Sequence, residues 1–417
     1  MSPLLKRSLL IAGFILVTVG FLAAIFFVFF RPSETPSNQN QGTGNTNGLP
    51  GVGNGNINTS VDGNVNALPN VNGTAIDVPP STIADGGPTA TETVVSSQAS
   101  GLIAAGDQAG LQYYDAQTGK FYRLSADGLS KTELSDAVYR DVERLNWSPD
   151  GNQAILEFPD QSKVLYNFTT KKQTTLPKEL NDFSFGPSSD KIVSKYLDGA
   201  NTDNQWLIVS NPDGSNSLSV EHLGANAEKV ASAWSPNNQI IATYQKTVNS
   251  DQSEVIFLGA QGENFPSVTI EGRGFIPKWA PDGRRLLYSA YSEVTDDIPH
   301  LYIMNGTSST LGSGLYDLGL DTTADKCTFS SSGTSIFCAV PYYLNPGSGP
   351  QPELSAGVPD NIYRIDLATG QSTLIARPVD SNRNQRFSAT NLQLAGGDSF
   401  LYFTDAATGS VEKIRIR

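Results

Sequence analysis

The chain has 417 residues, a formal net charge of -13 and a sequence pI near 4.6. So acidic a balance excludes a general phosphate-binding surface, and no nucleic-acid partner is expected. Two cysteines, Cys327 and Cys338, and two histidines, His222 and His300, exclude a disulfide-framed miniprotein and leave little material for Cys/His metal sites or His-based triads.

In chain order, Lys6 and Arg7 precede a stretch from Ser8 to Phe30 that carries no charge. At 1.5 Å per helical residue it is long enough to cross a hydrocarbon core of about 30 Å, and it predicts a transmembrane helix over residues 8–30. A cleaved signal peptide, the rival reading, has a shorter apolar region and a small-x-small exit, whereas this run ends in Phe26-Phe27-Val28-Phe29-Phe30. After Arg31 the next cation is Lys120, so the positive-inside rule places residues 1–7 in the cytoplasm and the remainder outside it. Residues 31–91 are rich in Asn, Gly, Pro and Thr and poor in apolar side chains, which predicts a disordered tether with a reach of about 40 Å.

From residue 92 to 417 a unit recurs: an aromatic, a small-Pro-polar-Gly turn, then an apolar strand. The clearest copies begin at Trp147, Trp234 and Trp279, as in Trp147-Ser148-Pro149-Asp150-Gly151; weaker copies begin at Phe185 and Phe329. Asp-Gly and Asn-Asn accept the left-handed backbone of a tight hairpin, so each turn joins two strands. Further strands follow, for example Ile362 to Leu367 ahead of Ala368-Thr369-Gly370. Four short strands repeated every 40 to 50 residues or so predict an all-β β-propeller. Seven four-stranded blades fit if Thr93 to Ser96 supplies the missing strand of the last blade; six is the alternative.

These turns and the Asp-x-x-Thr-Gly strand ends resemble the propeller repeats of the TolB-like family, which are similar in form to WD-repeat propellers. The resemblance implies the fold and leaves function open, because such propellers serve unrelated ends.

No Gly-x-Ser-x-Gly elbow is present, and His222 and His300 stand apart in sequence. Glu293, Asp296 and Asp297 lack the spacing of a calcium loop, and the repeated Trp residues read as packing between blades rather than sugar platforms. No catalytic residue, metal or cofactor is therefore expected. In a propeller with strands counted from the axis, the connections from second to third strand and from fourth to the next first strand share one face. The longer segments fall there: Leu197 to Gln205, Lys246 to Glu254, Tyr291 to His300, Pro341 to Asn361 and Arg377 to Thr390. They make a candidate binding face of Asp198, Asp203, Asp251, Glu254, Glu293, Asp296 and Asp297 on one arc, Arg377, Arg383 and Arg386 on another, and Tyr342 and Tyr343 between. Cys327 and Cys338 flank one turn symmetrically and are candidates for a disulfide across adjacent strands. The expectation is a membrane-anchored, extracytoplasmic, non-catalytic scaffold that binds protein or envelope polymer. The alternative is a propeller-class lyase or hydrolase acting on extracellular polysaccharide.

Overall fold

A computed structural model describes residues 79–107 and 109–417. The expected transmembrane helix at 8–30 and the linker up to residue 78 lie outside the described residues. Within them, no helix is long and apolar enough to cross a membrane.

Seven antiparallel sheets form the blades of a propeller. Blades 1 to 6 occupy residues 99–133, 144–176, 180–222, 230–271, 273–317 and 327–379, and blade 7 combines 389–415 with a strand from the N-terminal side. The innermost strands are Ala99–Ala104, Arg144–Trp147, Leu180–Phe185, Val230–Ser232, Arg273–Trp279, Cys327–Phe329 and Ala389–Ala395.

The repeat turns share one backbone device. The fifth residue of each copy has a positive φ: Gly151 at 69°, Ser189 at 61°, Asn238 at 60°, Gly283 at 66° and Gly333 at 66°. The second residue, where it is serine, closes the turn from inside: Ser148, Ser235 and Ser330 Oγ accept from the backbone N–H of Gln153, Ile240 and Ser335 at 2.9, 2.9 and 3.0 Å. The aromatic at the head of each copy enters the apolar cluster shared with the preceding blade. Trp147 does so between blades 1 and 2, Phe185 between 2 and 3, Trp234 between 3 and 4, Trp279 between 4 and 5, and Phe329 between 5 and 6. Two indoles also donate backwards, Trp147 Nε1 to Gly101 O at 2.8 Å and Trp279 Nε1 to Ala233 O at 3.2 Å. Thus Trp147 and Trp279 supply both apolar filling and a satisfied polar contact at the blade junction, whereas Phe185 and Phe329 supply filling alone and Trp234 Nε1 donates within its own turn to Asn238 Oδ1 at 2.8 Å.

Ring closure uses both ends of the domain. Glu92–Val95 pairs antiparallel with Val411–Arg415 as the outermost strand of blade 7, and Thr93 Oγ1 donates to the buried Glu412 carboxylate at 2.9 Å. The sheet also reaches upstream of residue 92: Pro88–Ala90 adds a fifth, parallel strand outside blade 6, beside Arg377 to Val379. Pro88 is tolerated there because an edge strand needs no donor on its outer side. Ala84 N and Gly86 N donate to Arg415 O and Ile375 O at 2.8 and 2.7 Å, so residues 84–95 lace the rims of blades 6 and 7 together.

Cys327 and Cys338 sit opposite each other on the first two strands of blade 6, fully buried and joined as a disulfide with their Cα atoms 4.0 Å apart. Nearby, the buried Asp360 carboxylate receives Lys326 Nζ at 2.7 and 2.8 Å and Ala389 N at 2.6 Å, tying blade 6 to blade 7. Burial pushes Asp360 above the usual carboxylate range, against the pull of the Lys326 ammonium.

Candidate functional site

Because successive strands are antiparallel, the second-to-third and fourth-to-first connections emerge at one face, called here the loop face; the other is the turn face. Two segments expected as loops are otherwise. Lys246 and Glu254 lie within paired strands, Ile240–Thr247 and Gln252–Gly259, leaving only residues 248–251 at the tip of an extended hairpin. Arg377 lies in strand Ser372–Val379 opposite Pro88 rather than in a loop. In both places the backbone pairing of the sheet runs on past the apolar part of the strand.

The remaining connections brace one another. Asp251 Oδ1 accepts from Glu293 N at 3.1 Å, joining the blade 4 hairpin to the blade 5 loop. In that loop Ser292 and Thr295 form a capping box around the short 3-10 helix Glu293–Thr295, and Asp296 and Asp297 follow with φ of 52° and 54°. Their carbonyls accept from Gly347 N and Gly349 N at 2.8 and 2.7 Å, which docks the long blade 6 loop, residues 342–359, onto blade 5. Gly349 passes so close to Tyr291 that a Cβ would lie 2.4 Å from its ring, so this crossing requires glycine. On the other side Arg386 stacks over Tyr342, with 5.6 Å from guanidinium to ring centroid.

The acidic arc is not uniformly available. Asp297 Oδ1 is held by Arg273 Nη2 at 2.8 Å. The Asp198 carboxylate accepts from Asn204 Nδ2, Ala200 N and Asn201 N, and these bonds, led by the one from Asn204, hold it below the usual carboxylate range. Glu254 lies on the side of the ring, where it accepts from Ser267 Oγ at 2.7 Å. Asp203, Glu293 and Asp296 remain exposed. Local spacing could not foresee the Arg273–Asp297 pair, whose members are 24 positions apart, one on the innermost strand of blade 5 and the other on its second-to-third connection. Arg383 is exposed in the 380–386 turn, which is closed by the Val379–Arg386 bridge.

The same loops carry exposed apolar side chains. Val248 and Val294 are 57% and 84% exposed, Tyr342 and Tyr343 are 64% and 57%, and Leu354 is 40%. The two valines attracted no notice in the sequence, since an isolated exposed valine carries no signal until its neighbours in space are known. Between the blade 4 and blade 5 loops lies a cavity of about 460 Å³ lined by Asp251, Glu271, Ser292, Thr295 and Tyr302. Burial beside Asp317 and Glu271 pushes the Tyr302 phenol up to about 12, so it remains a neutral donor and acceptor.

The axis is chemically quieter. A cavity of about 360 Å³ there is lined by Ile103, Asn146, Phe183, Ser184, Phe185 and Gln393 among others, with no titratable side chain among its lining. Acid–base groups beyond this lining sit on first and second strands together: Glu157, raised by burial, near Lys163 and Arg144, and Lys195 of a second strand, paired at 3.1 Å with Asp182 of the innermost strand of blade 3. Asp182 Oδ2 also accepts from Ser232 N at 2.9 Å, so this pair is locked between blades 3 and 4. No group of three or more potential metal ligands occurs among the described residues.

No protein-family model matches the chain, and no curated protein matches it. Among solved structures, the β-propeller domain of Cps50 (Swd1) from Myceliophteria thermophila is similar at a TM-score of 0.54 and 11% identity, covering 78% of this chain and 100% of that one. An oligogalacturonate lyase in complex with manganese follows at 0.49 and 11%, covering 78% and 93%, and the tricorn protease at 0.47 and 11%, covering 79% of this chain but 34% of that one. Identities this low establish the propeller fold alone.

Proposed function

We propose that this chain is a membrane-tethered, extracytoplasmic propeller that captures a protein partner on the loop face of blades 4 to 6 and the following connection, without catalysing a reaction. One observation carries the reading: exposed Val248, Val294, Tyr342 and Tyr343 stand on three consecutive connections that hydrogen-bond to one another beneath them. Exposed apolar and aromatic groups on a braced support lose little entropy on binding, and Tyr with neighbouring Arg is the pairing enriched at interface anchors. The axial cavity, with amides and apolar groups, offers no acid–base pair to a lyase or hydrolase. The uncharged Ser8 to Phe30 stretch and the cation asymmetry around it support the anchor and its orientation. The Trp-Ser-Pro-Asp-Gly turns support placement beside TolB-like propellers.

The test is crosslinking capture from the native membrane with the wild-type chain and a Tyr342→Ala/Tyr343→Ala/Arg386→Ala variant. Recovery of protein partners should fall while the melting temperature stays nearly constant, since exposed loop substitutions seldom cost more than about 0.5 kcal/mol. Undiminished recovery moves the partner surface elsewhere; turnover of polysaccharide by the purified chain replaces the scaffold reading with the enzymatic one.

A further inference from the structure

We propose that the cleft between the outer parts of blades 3 and 4 binds an extended basic peptide segment, seating an apolar side chain in the cleft and pairing an adjacent Arg or Lys with Glu221 and Glu254. The cleft is separate from the loop-face surface and has a volume of about 440 Å³, within the range of ligand-binding cavities. Its inner wall is apolar: Leu223, Val230 and Leu258 are buried, Tyr244 and Ile256 pack against them, and Phe265, packed on the neighbouring cluster of blades 4 and 5, also lines the cleft.

Two carboxylates border this apolar surface. Glu254 uses Oε1 to accept from Ser267 at 2.7 Å, while Oε2 lies 3.8 Å from Lys246 Nζ, a loose pair with a largely exposed lysine. The Glu221 carboxylate makes no hydrogen bond or ion pair among the described residues, although it lines the cleft. An apolar ligand without a cation would take water from these carboxylates and return nothing, whereas a guanidinium or ammonium would replace the lost hydrogen bonds. The chain's net charge of -13 also steers cations toward it.

The border of the cleft favours a peptide. Glu221 and His222 belong to Leu218–His222, the outermost strand of blade 3, whose outer edge has no partner strand among the described residues. Such an edge presents backbone donors and acceptors to an incoming extended segment. His222 keeps this border in place: its Nε2 lies 2.5 Å from Asp203 O, and its ring meets Trp206 edge-on at 4.7 Å between centroids. Since the carbonyl can only accept, Nε2 carries the proton.

The full chain in detergent micelles is titrated with acetyl-Val-Phe-Arg-Leu-Arg-amide, its Glu-for-Arg counterpart, and acetyl-Gly-Gly-Arg-Gly-Arg-amide, following heat by calorimetry. The first peptide should bind saturably and at least tenfold more tightly than either of the others. A Glu221→Gln/Glu254→Gln variant should lose at least tenfold in affinity with an unchanged melting temperature, while the Tyr342→Ala/Tyr343→Ala/Arg386→Ala variant binds as the wild type does. That last result separates this cleft from the loop-face reading, which stands or falls on partner capture. Absence of saturable binding, equal binding of the acidic or glycine peptide, undiminished binding by the Gln variant, or loss of binding in the loop-face variant overturns the proposal.

Discussion

The two faces of the ring handle polar backbone in opposite ways. On the turn face, short connections are closed by their own side chains and then stitched to the next blade: Asn237 Nδ2 donates to Gly283 O at 2.8 Å, and Ser331 Oγ to Asp398 Oδ2 at 2.9 Å. On the loop face, backbone groups of different connections satisfy one another, as Asp296 and Asp297 do for Gly347 and Gly349, and this leaves side chains such as Tyr343 and Val294 facing outward. One face uses its side chains up in making the scaffold, and the other keeps them in reserve.

The comparison is broken most severely at the root of the long loop. Replacing Lys326 with Met should cost about 3–5 kcal/mol in urea denaturation at neutral pH, because the buried Asp360 carboxylate loses its counter-ion. Burial already raises the folded pKa of Asp360, and loss of the ammonium raises it further. The deficit should therefore be full above the variant's raised folded pKa, shrink as pH falls through the two raised folded values, and be gone by the ordinary carboxylate range, where the folded group is already neutral with or without Lys326. A deficit independent of pH would place the damage in packing rather than in charge.

A matched pair of glycines sharpens the contrast. Gly283 on the turn face and Gly357 in the blade 6 loop have φ of 66° and 74°, yet a Cβ at Gly283 would lie 2.6 Å from Asn237 N, while at Gly357 it meets nothing within 4 Å. Gly283→Ala should cost about 2–3 kcal/mol and Gly357→Ala only about 1 kcal/mol, the left-handed backbone penalty alone. Equal losses measured by thermal unfolding would mean that the turn face yields as readily as the loops.

Much of this was legible beforehand, and the reason is local. Asp150-Gly151, Asn237-Asn238 and Asp282-Gly283 announce a left-handed residue within a few positions, and the copy at Phe185, where Ser189 takes that conformation, keeps the spacing without the residue type, so the blades and the strand near Thr93 that closes the last one could be read directly. Pro88–Ala90 could not, because Pro79 to Pro88 carries the composition of a linker and its partner lies almost 300 residues away. The binding face was legible as a set of connections but not as a surface. The Arg273–Asp297 pair exists only once blade 5 has folded, and the cleft between blades 3 and 4 only once those blades are packed; sequence spacing holds no record of either.

The smallest expected effect lies at the loop-face end of blade 5, where His300 Nδ1 is 2.7 Å from Asp321 Oδ1. The Asp321 carboxylate beside the ring raises its pKa against the opposing effect of burial. Its contribution is complete below the unfolded value near 6.5 and disappears as pH rises through the raised folded value. With about half of Asp321 open to solvent, His300→Gln should lower stability by less than about 1 kcal/mol at pH 6 and by almost nothing at pH 9. A larger loss at pH 9 than at pH 6 would reverse the sign of this linkage.

The lacing of the rims by residues 84–95 also sets the order of events during synthesis. Glu92–Val95 leaves the ribosome ahead of blade 1, but its partner Val411–Arg415 follows all the other strands of the blades, and Thr93 and Glu412 are 319 positions apart. Blade 7 therefore closes after translation of the domain ends, through a contact of nearly the longest sequence separation the domain contains. Until then two unpaired strands are exposed to every other nascent chain. Their brevity, with Pro88 in one and Glu92 in the other, makes both poor templates for a foreign strand.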